Sequence, residues 1–371
     1  MSESKMIQKA GDGSQQVQAE MVIIQNGITE ERCRAIYSEL SKKALADQTS
    51  EAIDAANKKV QEFAERLLPR IQSLESNYSS FASPSFQLLI QKAQVTAACS
   101  DRELDYGLLT ELIAHRINNK GNIKKKASIE KAVEIVDKID DDALCGLTMF
   151  HAMDRFSPIS GNISEGLQVI DQLYSKCQYA ELPSGGEWLD NLEILGAIRI
   201  NPIGSFNKFE DALCKSWDGY VSVGIKKDSQ DCIECCQLLQ AVGLNVNSLI
   251  DNELLDGYVR LPFVKKSSIE SLPVPVIIST GNSLSQITKL VPLTQGQKNV
   301  LSQIYDKYSK DGQLVEQVKK NFKDKLYSFK SINTACQWWN SINGAFNITS
   351  IGRAIAQANA KRVDNTLPDI D

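Results

Sequence analysis

The stretch PSGGEWLDNLEILGAIRINPIG, residues 183 to 204, decides between an all-helical chain and a mixed one. Ser184 precedes Glu187 by three positions, the spacing of a capping box at a helix start. Trp188, Leu189, Leu192 and Leu195 then share one helical face. Gly196 closes the helix, and Ala197 to Ile200 reads as a strand. A helix therefore runs into a strand through a single glycine.

The last segment repeats this grammar. Thr294 and Gln297 form a second capping-box pattern, followed by Val300, Leu301, Ile304 and Tyr305 at helical spacing. Helices are predicted over 312–329 and 331–342, a short strand over GAFNITSI (344–351) and a final helix over GRAIAQANAKR (352–362). The helix–strand form at 183–204 resembles the third helix and first wing strand of winged-helix domains. The three helices, strand and closing helix of 293–362 resemble such a module too.

Between these two regions, residues 215 to 280 change character. GYVSVGI (219–225), LNVNSLI (244–250), GYVRLPFV (257–264) and PVPVIIST (273–280) are strand candidates, with a helix over 228–242. The prolines of the last one suit a sheet edge. Upstream the chain reads helical. Ile53, Val60, Leu67 and Leu74 recur at sevens, which fits a short coiled coil or a helical hairpin packed on a neighbour. Pro69 is expected to kink or break that helix. Thr29, the Ser83-Pro84 pair and the Ser100/Glu103 pair read as helix starts.

The chain begins with a different signal. In GDGSQQVQAEMVIIQNGIT (11–29), Val17, Ala19, Met21 and Ile23 share one strand face, and Val22 and Ile24 lie on the other. One short strand is not stable alone in water, and an exposed edge recruits further strands. These six residues are the candidate oligomerisation surface. The expected organisation is mainly α (α+β): a disordered start and β-arm (1–27), a helical domain (28–180), an α+β domain with a winged-helix-like start (181–290), and a winged-helix-like C-terminal domain with an acidic tail (291–371).

At 371 residues the chain exceeds one ordinary domain. Its nine cysteines are odd in number and scattered, as expected of reduced thiols. No apolar run reaches membrane-spanning length, so a cytoplasmic protein with no membrane partner is expected. Cys232, Cys235 and Cys236 have partial chelate spacing but no answering pair of ligands, so a helix face is preferred to zinc. The acidic run Asp137–Asp142 lacks calcium-loop spacing and reads as a helix end and a cap. His115 and His151, the only histidines, have no recognisable nucleophile beside them and read as packed or surface residues. No phosphate-binding glycine motif is present. The sequence thus indicates no catalytic residues, no metal site and no cofactor.

Charge is distributed unevenly. Residues 293 to 362 carry nine lysines and two arginines against three aspartates and one glutamate, a net of +7 in a chain whose total is −5. Lys298, Lys319, Lys320, Lys323, Arg353, Lys361 and Arg362 are therefore candidate phosphate contacts for nucleic acid. A solvated helical face or docking onto an acidic body are the structural alternatives.

The opening GDGSQQVQA, its following strand and GITEER resemble the arm of an uncharacterised bacterial family that carries GDxSxxxQxG. Glu20 stands where such arms often have glycine. Phe346, Ile348, Thr349, Ile351 and Gly352 match that family's C-terminal element before a small-residue helix. The resemblance covers the two ends of the chain. It implies a phage-defence or mobile-element setting, with a phage or host protein as trigger, and it brings no catalytic residues; the expected homo-oligomer follows from the unpaired arm. The leading expectation is a non-enzymatic, self-associating protein. The alternative is a nucleic-acid-binding regulator acting through residues 293–362.

Overall fold

Thr29 caps the first helix, its hydroxyl accepting the Arg32 N–H at 3.2 Å. Helix α1 (Glu30–Ala44) follows with Glu30 and Glu31 in its first turn, where the helix dipole favours negative charge. The computed structural model describes residues 28–44, 49–119, 121–271, 273–279 and 286–368. The candidate arm, with Val17, Ala19, Met21, Val22, Ile23 and Ile24, lies outside them.

Helix α2 (Ser50–Leu74) continues through Pro69, contrary to the expected break. It buries Val60, Phe63, Leu67 and Ile71 against helices α3 (Pro84–Cys99) and α4 (Glu103–Asn118). That packing outweighs one missing backbone bond near the helix end. The heptad face is thus covered by neighbouring helices of the same chain. Ser83 does precede a proline in the first turn of α3. The Ser100/Glu103 pair is not a capping box, since α4 starts after Arg102 without a side-chain cap. Ser100 Oγ instead donates to the fully buried Asp105 at 2.5 Å, a carboxylate that needs donors more than the helix end does.

Helix α5 (Ile123–Val133) holds the basic run in its first turns. Asp140 caps α6 (Asp141–Arg155), accepting the Ala143 N–H at 2.7 Å, as the acidic run suggested. Asn162 caps α7 (Ile163–Cys177). The decisive stretch forms α8 (Glu187–Ile194) and β1 (Ile198–Asn201). Gly185, at φ +73°, turns the chain after Ser184, so Gly186 is the N-cap of α8 and no side chain caps it.

Next come α9 (Phe209–Ser216), β2 (Ile225–Lys226), α10 (Gln230–Ala241), β3 (Ile250–Asp251), β4 (Tyr258–Arg260), β5 (Pro273–Ser279), β6 (Gln286–Pro292) and α11 (Gln295–Asp306). The strands are shorter than expected. Tyr220, Val221 and Val223 are buried in the larger core, so 219–224 forms no ladder. Asn245 accepts the Asn247 N–H at 2.9 Å, a side-chain turn that replaces most of the strand expected at 244–250. The order β2-β4-β3 makes one antiparallel sheet. β5 pairs with β6, a strand that sequence reading passed over.

The chain ends with α12 (Gly312–Ser328), α13 (Lys330–Ser341), β7 (Ala345–Ile348) and α14 (Ser350–Val363). β1 pairs antiparallel with β7, Ile198 opposite Ile348 and Asn201 opposite Ala345. The two regions read as wing-like therefore share one two-stranded ribbon. The architecture is mainly helical with small antiparallel sheets.

Two apolar clusters hold it together. The larger gathers residues from Cys33 to Ala360, including α12, α13 and α14. The smaller joins Ile225, Leu239, Val259, Leu301 and Ile304 of β2, α10, β4 and α11 with Leu261, just after β4. Arg260 fastens the smaller unit to the helical body. It is fully buried, donates to the Gly161 carbonyl at 2.6 Å, and lies 5.5 Å over the Tyr220 ring. Glu253 adds a second tie by accepting the Ile163 N–H at the start of α7 at 2.6 Å.

Candidate functional site

Helix α14 sits where the chain's ends of interest meet. Thr349 caps it through the Gly352 N–H at 3.2 Å and bonds the carbonyls of Gly196 and Ala197 at 2.8 and 3.0 Å. This anchors the helix start to the decisive 183–204 stretch. From there α14 crosses α4, α5 and α6, burying Ala354, Ile355, Ala356, Ala358 and Ala360. Small residues allow that close crossing.

Where α14 leaves β7, its first turns face the first turns of α5 and the last turn of α6 across a cleft of about 670 Å³. His115 of α4, Lys124 and Lys125 of α5, His151 and Arg155 of α6, and Arg353 and Gln357 of α14 line it, with Ser128 and Ser350. Among the described residues, no aspartate or glutamate lines it. The side chains of Lys124 and Arg353 are exposed and take part in no ion pair or hydrogen bond among the described residues. Two helix N-termini, of α5 and α14, add the positive ends of their dipoles. Lys124 and Arg353, like-charged and exposed on one concavity, form a pair whose repulsion an anion between them would relieve.

His151 forms the floor. It is 2% exposed, and one ring nitrogen, Nε2, lies 2.9 Å from Gln357 Oε1. Its Nδ1 is buried and has no hydrogen-bond partner among the described residues. Burial pushes its pKa below the usual 6.5, and the charges of Arg155 and Arg353 push the same way, against the Gln357 bond and Asp154. Beside the cleft, a second recess of about 280 Å³ shares His151 and Arg353 and is lined by Phe150, Phe206, Trp339 and Phe346.

The seven candidate phosphate contacts do not form one surface. Arg353 lies in the cleft. Lys361 lines a small neighbouring recess with Arg70, Glu111 and His115. Arg362 lies 5.1 Å over the Tyr179 ring and donates to Asn359 at 2.7 Å. Lys298 pairs with Glu270 at 3.1 Å, Lys319 with Glu316 at 2.8 Å and Lys323 with Asp211 at 2.5 Å. Lys320 is exposed on α12. Much of the basic charge on α11 and α12 is thus matched by carboxylates of the same chain.

The other candidates resolve as structural features. Cys235 is buried, while Cys232 and Cys236 are half-buried on α10, and burial raises the Cys235 thiol to about 11. Among the described residues no cluster of three or more His, Cys, Asp or Glu could hold a metal ion, and no helix is long and apolar enough to cross a membrane.

Sequence reading placed Lys124 to Lys126 in a basic run and Arg353 among the phosphate contacts, but passed over both histidines as ligand groups. The available signal was pairs at i and i+4: His151 with Arg155, Arg353 with Gln357, and Lys124 with Ser128. Each pair shares a helix face, yet only tertiary packing shows that the three faces converge.

One protein-family model, described only as ":-like", matches residues 27–369. No curated protein matches the chain, and no solved structure matches it.

Proposed function

The chain belongs to that family, and from this premise we propose that it is a non-enzymatic binding protein that takes up a phosphorylated small molecule in the cleft between α5, α6 and α14. The observation that carries the reading is that Lys124 and Arg353, exposed and in no ion pair among the described residues, line one concavity together with Lys125 and Arg155. A cleft of about 670 Å³ has the size of small-molecule sites. Helix N-termini suit phosphate oxygens, and lysine and arginine supply charge-assisted hydrogen bonds. Binding rather than catalysis is favoured because no carboxylate base lines the cleft among the described residues, and His151 is held by Gln357. This keeps the phosphate recognition expected of the basic C-terminal region, but centres it on Arg353 instead of α12.

Isothermal titration with sodium pyrophosphate and tripolyphosphate tests the reading. One site per chain is expected, weakening as salt rises. The Lys124→Gln/Arg353→Gln double variant should bind at least about tenfold more weakly, since each charge-assisted bond contributes about 1.5–3 kcal/mol. Absence of binding to either anion by the native chain at low salt, or an unchanged double variant, rejects the proposal.

A further inference from the structure

We propose that residues 369–371 of the chain itself seat in the basic cleft and compete there with the anionic ligand; the competition rests on the phosphate reading above. The path of the chain after α14 points to this. The helix ends at Val363, and the chain then reverses. The Leu367 N–H donates to the Asp364 carbonyl at 3.3 Å. The Asp364 carboxylate accepts the Thr366 N–H at 3.1 Å and the Lys176 ammonium at 2.7 Å. Leu367 packs against the larger apolar cluster. The Pro368 carbonyl then accepts from Gln357 Nε2 at 2.8 Å.

These contacts lay the tail back along its own helix. From Val363 to Gln357 the chain returns about 9 Å toward the start of α14, at the helical rise of 1.5 Å per residue. Gln357 is itself a wall of the cleft. Its amide holds His151 at the floor through Oε1 and the tail through Nε2. Arg353 lies one turn further back, about 6 Å along the axis. Three extended residues span about 10 Å, so residues 369–371 reach Arg353 and the cleft it lines with Lys124.

Charge complementarity supports the same seat. Residues 369–371 read Asp-Ile-Asp. In an extended chain residues two apart face the same side, about 7 Å from each other, so the two carboxylates can enter the cleft together. Among the described residues the cleft has no carboxylate of its own, and α14 carries no acidic residue. Lys124 and Arg353 are exposed there without an ion pair among the described residues. A seated tail puts carboxylates where phosphates would bind, so tail and ligand exclude each other. Tethering raises the tail's effective concentration, but exposed ion pairs are weak. The tail therefore lowers ligand affinity without closing the cleft.

Two measurements on the full chain test the proposal. The first is zero-length carbodiimide cross-linking, mapped by mass spectrometry on mixed isotope-labelled and unlabelled chains, with and without sodium pyrophosphate. A cross-link from Asp369 or Asp371 to Lys124 or Lys125 is expected within one chain and should weaken as pyrophosphate is added. The Lys319–Glu316 pair, 2.8 Å apart, is the internal control. The second is titration calorimetry with pyrophosphate on the native chain and on Asp369→Asn/Asp371→Asn, which should bind at least about threefold more tightly. If the control forms but the tail gives no cross-link in the cleft, or only one between chains, the proposal is overturned whatever pyrophosphate does. Unchanged or weaker pyrophosphate binding in the variant overturns the competition. A cross-link within the chain, with no pyrophosphate binding by either protein, rejects the phosphate reading and the competition with it, and leaves the seat of the tail standing.

Discussion

His151 Nε2 and Gln357 Oε1 stand 2.9 Å apart, joining α6 to α14 across 206 residues of sequence. The bond fixes the imidazole at the floor of the cleft, and Nδ1 has no hydrogen-bond partner among the described residues. Burial holds the His151 pKa below the usual 6.5, so the unfolded chain takes up a proton before the folded one does. The associated stability is present above about pH 6.5 and is lost as pH falls toward the folded value, by up to about 1.4 kcal/mol per pH unit. Urea titrations between pH 7.5 and 5 should show this slope, and His151→Gln should flatten it.

An anion in the cleft reverses the charge balance around that ring. It offsets Arg155 and Arg353, which with burial keep His151 neutral against Asp154 and the Gln357 bond, and it faces Lys124, Lys125 and His115 as well. Pyrophosphate should therefore bind more tightly at pH 6 than at pH 7.5, with proton uptake on binding. Calorimetry in two buffers of different ionisation enthalpy measures that uptake, which should shrink in His151→Gln. Proton release on binding would contradict the arrangement.

Gly352 permits the contact between α14 and the decisive stretch. A Cβ there would lie 2.1 Å from the Ala197 carbonyl oxygen and 2.9 Å from its carbon, so the backbones would have to part. Gly352→Ala should cost about 1–3 kcal/mol, in the range of overpacked sites. Because Thr349 and Arg353 flank the position, it should also weaken pyrophosphate binding. Chemical denaturation and calorimetry on the same variant check both effects.

Glu253 caps α7 from the smaller unit. Burial raises its carboxyl pKa, but the Ser164 hydroxyl, Lys325 and the Ile163 N–H outweigh burial and leave it below the usual 4.5. Its contribution is therefore present above about pH 4.5 and is lost as pH falls through the folded value. Glu253→Gln should destabilise the protein at pH 7 by about 1–2 kcal/mol. The loss relative to the native chain should shrink as pH falls below about 4.5, as thermal melts at pH 7, 4 and 3 would show.

Lys319 and Lys323 were read from sequence as phosphate contacts, but they pair with Glu316 and Asp211. Lys319→Gln and Lys323→Gln should leave pyrophosphate affinity within about twofold, since exposed ion pairs contribute little and neither residue lines the cleft. A tenfold loss in either variant would move the site to α12.

The parts legible in sequence were those fixed by local chemistry. The Thr294/Gln297 capping box is present with both of its hydrogen bonds, and Gly196 ends its helix at φ +73°. The helix–strand run at 187–201 could be read because propensity, periodicity and a glycine agreed. What failed was set by tertiary demand. Ser100 serves the buried Asp105 instead of a helix end, and Tyr220 leaves its expected strand to enter the larger core. The cleft was only half visible. Lys124 to Lys126 and Arg353 are conspicuous as charges, but no sequence rule places residue 124 opposite residue 353. His151 has the appearance of an ordinary core histidine until its unsatisfied nitrogen is located.

The most direct measurement is an anomalous-scattering map of crystals of the full chain soaked in sodium tungstate, a heavy tetrahedral anion that stands in for phosphate. The account predicts a peak within hydrogen-bonding distance of Arg353 and the first turn of α5, above His151, and its loss in Lys124→Gln/Arg353→Gln. Peaks confined to α12, or none in the cleft with the anion in excess, would contradict it.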